Sequence, residues 1–196
     1  MAIVGILLAA GRGRRFDPSG ARNKLLQELA GGDTIVAASA KNLLATLPAV
    51  VAVVGAEGEG VAGALRALGC DVTVCPDADA GMAASLVHAV GHSHLHADGW
   101  LIALADMPNV LPSTITALAR AVEQGSGIAV PAMAGRRGNP VAFGRQYLAA
   151  LLALEGDQGA RQIVRANPVM EIEVDDPGIF EDIDTAADLK AQRDSG

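Results

Sequence analysis

The chain predicts a three-layer α/β fold on a mostly parallel sheet, and three observations carry that expectation. Short apolar runs with little polar alternation recur at Ile3 to Ala10, Ala49 to Val54, Leu101 to Ala105 and Ile128 to Val130. A parallel sheet covered on both faces requires such runs, because neither face of its strands meets water. Segments with helical spacing lie between or beside them, at Thr34 to Leu47, Gly58 to Leu68, Ala83 to His96 and Ser113 to Glu123. Turn signals fall where alternating strands and helices need them, at Gly31-Gly32-Asp33, Gly55, Gly69, Asp98-Gly99 and Gly125 to Gly127.

Beyond residue 131 the pattern loosens. Ala132 to Pro140 reads as a Gly- and Arg-rich loop, Arg145 to Leu154 and Gly159 to Ala166 as helices, and Val169 to Val174 as a late strand. A chain of 196 residues without repeat, linker or low-complexity tract is expected to form one domain over residues 1–196. A globule of that size buries roughly 70% of the surface its unfolded chain exposes.

Composition narrows the function. Hydrophobic residues make up 51% but aromatics only 3%, so the interior is built from Ala, Val, Leu and Ile around Trp100 and Tyr147. With few aromatic platforms and a net charge of -7, binding of a long nucleic acid over a basic face is not expected. The positive charge is uneven: Arg12, Arg14, Arg15, Arg22 and Lys24 lie within thirteen residues, offset there only by Asp17. A local cationic cluster on an acidic protein suits a small anion. The apolar start has no preceding Lys or Arg and is shorter than a membrane span, so neither a secretory leader nor a membrane anchor is expected. Cys70 and Cys75, five apart, would face opposite sides of a strand; they read as buried, reduced thiols of a cytoplasmic protein.

The first run ends in Leu7-Leu8-Ala9-Ala10-Gly11-Arg12-Gly13-Arg14-Arg15-Phe16. Two glycines let backbone N–H groups approach a ligand closely, and the arginines supply charge-assisted hydrogen bonds, a combination suited to a triphosphate. Phe16 stands where a dinucleotide fingerprint needs its third glycine, and no GxxxxGK[ST] occurs. The plainer reading is a strand-to-helix turn with solvated arginines. Asp106 follows the run Leu101 to Ala105, and ligands of open parallel sheets bind at the carboxyl ends of strands. There a carboxylate can hold Mg²⁺ against phosphate oxygens, although an Asp before Met107-Pro108 is equally a turn residue. Asp184 or Thr185 reads as the N-cap of a helix over Ala186 to Gln192. His88, His92 and His96 share a helical face with no carboxylate or cysteine at a suitable spacing, so they and His94 read as a solvated face. Arg136, Arg137 and Gly138-Asn139-Pro140 either hold an anion or shape a turn, and Asp157 could pair with Arg161.

Leu8-Ala9-Ala10-Gly11-Arg12, Asn23-Lys24-Leu25-Leu26 and Leu104-Ala105-Asp106-Met107-Pro108 together resemble the nucleotidyltransferases that attach a nucleotide to molybdopterin. Arg137-Gly138-Asn139-Pro140, Gly156-Asp157-x-Gly159-Ala160-Arg161 and Asp182-Ile183-Asp184-Thr185 narrow the resemblance to the molybdenum cofactor cytidylyltransferases, over Ile3 to about Leu189.

The resemblance implies a Rossmann-like nucleotidyltransferase fold. It also implies that Leu8, Ala9, Ala10, Gly11, Arg12, Gly13 and Lys24 bind the triphosphate and that Gly81, Met82 and Ser85 line a base pocket. Asp106 would bind magnesium, or manganese, with Asp182 or Asp184 completing the metal site. Arg15, Lys24 and Asp106 would carry the chemistry. The substrates would be CTP and molybdopterin, with transient contact to a recipient molybdoenzyme; a guanylyltransferase using GTP and a non-catalytic accessory protein that delivers cofactor are the alternatives. The segment from Phe16 to Asn23 is longer than the family's usual spacing, which leaves open whether Arg15 or Arg22 touches phosphate.

Overall fold

A computed structural model describes residues 2–157 and 159–194. Eight strands form one sheet: β1 (Ile3–Leu8), β2 (Ala49–Gly55), β3 (Asp71–Cys75), β4 (Gly99–Leu104), β5 (Ile128–Met133), β6 (Arg136–Arg137), β7 (Val141–Gly144) and β8 (Met170–Glu173). Their spatial order is β3-β2-β1-β4-β7-β5-β6, with β8 also paired to β5. β1 runs parallel to β2 and β4 with Leu8 level with both Val53 and Leu104. The carboxyl ends of the three central strands therefore open onto one edge. β7 is antiparallel to β4 and to β5, which makes the sheet mixed on one side.

β1 is buried on both faces, and its alternate side chains feed two separate cores. Ile3 and Leu7 join Ile35, Leu43, Leu65, Ile115 and Leu118 on one side. There α1 (Ile35–Leu44), α2 (Glu59–Ala67) and α4 (Pro112–Glu123) cover the sheet. Val4 and Ile6 join Leu86, Val90, Trp100, Phe143 and Leu151 on the other. That face is covered by α3 (Met82–Ser93), α5 (Leu148–Leu152) and α6 (Arg161–Ala166). The expected three-layer α/β/α arrangement is thus the observed one, closed by α7 (Ala186–Asp194), whose Leu189 reaches the first core. Trp100 is fully buried and its indole N–H donates to Ser93 Oγ at 3.0 Å, so the buried indole leaves no orphan donor. Cys70 packs in the first core and Cys75 in the second, each as a free thiol, and burial pushes the Cys70 thiol up to about 11. No helix among the described residues is long and apolar enough to cross a membrane.

Some expected elements differ in the structure. Ala132 to Pro140 is not a loop: β5 and β6 form a hairpin turning at Ala134 and Gly135, both at positive φ (52° and 74°). Such a turn matches the twist of its strands. Arg145 to Leu154 divides into a 3-10 turn, Arg145–Tyr147, and the short α5. β3 and β7 were not expected: the first alternates polar and apolar residues at the sheet edge, and the second is only four residues long.

A chain segment from Asp176 to Asp184 straps the loop after β4 to the rest of the molecule. Asp176 is 1% exposed. Its Oδ2 accepts from Leu111 N (2.9 Å) and Thr114 Oγ1 (2.6 Å), and its Oδ1 from Gly178 N (3.0 Å). It thereby satisfies donors at the start of α4, whose own N-cap, Leu111, has no side-chain acceptor. Farther along, Ile183 N donates to Asp106 O (2.9 Å) and Asn139 N to Ile179 O (3.0 Å). Replacing Asp176 with Ala leaves these buried donors unpaired; urea denaturation should show a loss of about 3 kcal/mol.

Candidate active site

The loop after β1 wraps around its own glycine and aspartate. Gly13 adopts φ 60°, and a Cβ there would stand 3.0 Å from Lys24 Cβ, so the close approach of loop and lysine requires glycine. Gly13 O accepts from Phe16 N and Asp17 N. The longer segment from Phe16 to Asn23 winds around the Asp17 carboxylate, which accepts from Ser19 Oγ (2.6 Å), Ser19 N (3.0 Å) and Arg22 N (2.9 Å). The Ser19 hydroxyl, aided by those backbone N–H groups, holds the Asp17 carboxyl below its ordinary value. Arg22 lies 3.6 Å from Asp17 Oδ2 and over the Phe16 ring, 5.6 Å from its centroid.

Ala9, Ala10, Gly11 and Arg12 line a cavity of about 480 Å³ between this loop and the turns that follow β2 and β3. Arg14, Arg22 and Asn23 line it too, and across it Asp79 pairs with Arg12.

At the end of β4 four charged side chains meet. Asn23 Oδ1 accepts from Leu25 N (2.9 Å) and fixes a 3-10 turn at Lys24–Leu26. Lys24 Nζ then lies 2.7 Å from Asp106 Oδ2 and 3.2 Å from Asp184 Oδ1. Arg15 Nη1 reaches Asp184 Oδ2 at 2.7 Å. The Lys24 side chain is 10% exposed, while the two carboxylates retain 23% and 20%. Burial, reinforced by the charges of Asp184 and Asp106, pushes the Asp182 carboxyl above its ordinary value. Acidic charge is therefore concentrated at this point.

The two readings of Asp184 separate. Thr185 is the cap: its Oγ1 accepts from Asp188 N (3.2 Å), and Asp188 Oδ2 accepts from Thr185 N (2.7 Å) and Asp184 N (3.0 Å). The side chain of Asp184 is left to face Lys24. These carboxylates fit a hard divalent cation, since two oxygen donors from different elements already converge on one cationic atom. Among the described residues no group of three or more His, Cys, Asp or Glu forms a fuller cage, and magnesium needs only one or two carboxylates where substrate phosphates supply the rest.

A second cavity, of about 450 Å³, opens on the opposite side of the β1 terminus. Leu8 lines this one, although its neighbour Ala9 lines the first. Apolar side chains including Met82, Leu86 and Ile102 meet Arg137, Asn139, Arg161 and Arg165 around it. Arg137 is held by Glu171, with Nε 2.8 Å from Oε1. The Gly156 turn docks on the start of α3: a Cβ on Gly81 (φ 122°) would stand 2.3 Å from Asp157 Oδ1, and one on Gly159 2.9 Å from Met82 Sδ. Ser85 is buried one turn along α3. Asp157 precedes α6 and makes no ion pair with Arg161 among the described residues.

Sequence reasoning missed Asp79, which follows β3. Had the edge strand been recognised, its carboxyl end would have pointed there. The histidines are only partly a solvated face, because His88 bonds Thr73 Oγ1 and His92 bonds Asp71 Oδ2, each at 2.8 Å. They hold α3 to the edge strand.

With this geometry in view, relatives can be compared. Residues 5–171 match the model of the MobA-like NTP transferase domain. The chain belongs to that family. The purine catabolism protein PucB of Bacillus subtilis is 29% identical, over 93% of this chain and 92% of that protein. The crystal structure of Rv0371c from Mycobacterium tuberculosis superposes with a TM-score of 0.86 at 29% identity, covering both chains in full. A complex of Rv0371c with manganese gives 0.83 at 28% identity, again over both full chains. A nucleotidyl transferase from Methanothermobacter gives 0.82 at 26% identity, over 99% of this chain and 97% of that one. The family and these neighbours make the chain a nucleotidyltransferase. Substituting Thr185 by Ala should cost about 1 kcal/mol in thermal denaturation through loss of the α7 cap.

Proposed function

We propose that the chain, working as one domain, transfers CMP from CTP to the terminal phosphate of molybdenum-bearing molybdopterin, yielding the cytosine dinucleotide and pyrophosphate. One observation carries the reading: Lys24 bridges Asp106 and Asp184 at the strand terminus where two arginine-bearing cavities adjoin. An enzyme that joins two phosphorylated substrates needs such a junction.

In this reading the first cavity takes the nucleotide. Gly11 and Gly13 bring backbone N–H groups toward the triphosphate, and Arg12, Arg15 and Lys24 neutralise it. Arg15 is assigned the phosphate contact because it already reaches Asp184, one of the carboxylates that would hold the metal, whereas Arg22 stands apart from that cluster on Asp17 and Phe16. The base lies toward the turn before α3, where Gly81, Met82 and Ser85 start that helix. The second cavity takes the acceptor, whose apolar and planar parts suit Met82, Leu86 and Ile102 and whose phosphate suits Arg137, Arg161 and Arg165. Gly156, Asp157 and Gly159 of the later motif pack on Gly81 and Met82 at the start of α3, and the motif favours cytidine.

Asp106 and Asp184 are the residues that would hold Mg²⁺ or Mn²⁺, which supplies charge neutralisation and alignment of phosphate oxygens when bound. The acceptor is a phosphate monoester with a second pKa near ~6, already largely ionised at neutral pH, so little general-base work remains. The protein aligns that oxygen with the α-phosphorus and stabilises charge with Lys24 and the arginines. Pyrophosphate departs into the cationic loop. A transient handover of product to a recipient molybdoenzyme completes the role.

Purified protein should be offered each of the four nucleoside triphosphates with molybdenum-loaded molybdopterin and Mg²⁺ or Mn²⁺, and the dinucleotide identified by mass. CTP should be the productive nucleotide; turnover with GTP alone would overturn the base assignment. Asp106→Ala should fold but lose at least about 1,000-fold in turnover. Delivery of cofactor to a molybdoenzyme unaffected by that substitution would instead point to a non-catalytic carrier.

A further inference from the structure

The cations of the first loop are not waiting with open charges. Arg12 pairs with Asp79, Arg22 with Asp17, Arg15 with Asp184, and Lys24 with both Asp106 and Asp184. Lys24 is the most buried of these, and its ammonium is the point on which Asp106 Oδ2 and Asp184 Oδ1 converge. A divalent ion bound to that pair would sit about 2.1 Å from its oxygens. The ammonium and the ion could not share these atoms without strong repulsion over a few ångströms in a partly desolvated place.

We propose that Lys24 is the resident counter-cation of the carboxylate pair and competes with the divalent metal, so that metal and triphosphate enter by exchange of ion partners. The metal takes Asp106 and Asp184, and the triphosphate takes the displaced ammonium together with Arg12 and Arg15. Asn23, the residue before Lys24, lines the first cavity, so the turn that carries the lysine borders the space where the anion would lie. Either ligand alone must break a pair and leave one charge uncompensated, which is costly where groups are desolvated. Both together leave none within the Lys24 cluster, and Asp79, which gives up Arg12, is exposed to water. Coupling of this kind is reciprocal: each ligand strengthens the other by the same factor. The inference rests on the metal reading of Asp106 and Asp184 and adds to it that Lys24 opposes the metal.

The test measures Mn²⁺ binding without nucleotide, from the loss of the free-ion paramagnetic resonance signal. Lys24→Met and Lys24→Gln should each bind Mn²⁺ about ten-fold more tightly than the natural protein. Equal or weaker binding in both variants overturns the proposal. Asp106→Asn combined with Lys24→Met should abolish the gain. If Mn²⁺ binding is indifferent to Asp106 in the natural protein as well, the metal reading itself fails. If it depends on Asp106 but not on Lys24, only the exchange fails. Should neither lysine variant fold, the natural protein decides through acylation of Lys24 followed by mass spectrometry. Mn²⁺ should accelerate labelling of the released amine, and protection of Lys24 by Mn²⁺ would refute the competition.

Discussion

The parallel register of β1 between β2 and β4 is the constraint from which the site follows. Strands buried on both faces have no room for polar side chains along their length, so chemistry can begin only where they end. Leu8, Val53 and Leu104 are level. The loop after β1 and the loop after β4 therefore emerge side by side, and Lys24 meets Asp106 although 82 residues separate them. Because successive residues of a strand point to opposite sides, Leu8 and Ala9 also divide the opening into two cavities.

The energetic weight within this opening is unequal. Exposed pairs such as Arg12 with Asp79 contribute about 0.5 kcal/mol and are readily exchanged for a ligand's charges. The Lys24 cluster differs in being largely shielded, so removing one member leaves neighbours that repel each other. Fixed geometry is supplied from behind by bonds that do not involve the Lys24 ammonium: the capped turn at Asn23, the Thr185 cap, and the backbone bond from Ile183 to Asp106 O. The backbone that carries the carboxylates is thus held by bonds other than their own ion pairs.

How much of this was legible in the sequence depended on the kind of signal each part gives. β1, β2, β4 and β5 announced themselves as continuous apolar runs, and the four long helices by their spacing, so the layer order followed. β3 and β7 lacked such a signal: β3, at the sheet edge, alternates, and the four residues of β7 carry too little periodicity. In the site, Lys24 and Asp106 were marked by strand ends and motifs. The choice between metal ligand and cap at Asp184 was not, because Asp and Thr both cap helices and only the geometry assigns that task to Thr185. Asp176 gave no signal at all, since its partners Leu111 and Thr114 lie more than sixty residues away.

The strap from Asp176 to Asp184 also ties the two cavities to one reference frame. Its Ile179 carbonyl receives Asn139 N, beside the second cavity, while Ile183 N bonds the carbonyl of Asp106, and Asp184 turns toward Lys24 at the edge of the first. Gly138 admits this crossing, because a Cβ there would stand 2.6 Å from Ile179 O. The glycine of Arg137-Gly138-Asn139-Pro140 is therefore explained by packing of the strap, and its arginine by the cavity it lines. A motif that in the sequence read either as an anion site or as a turn performs two tasks: it holds the strap that positions the carboxylates, and it presents charge to whatever occupies the second cavity. In-line transfer between two bound phosphates demands that both be placed relative to the same atoms. One short segment bonded to both sides provides that common reference.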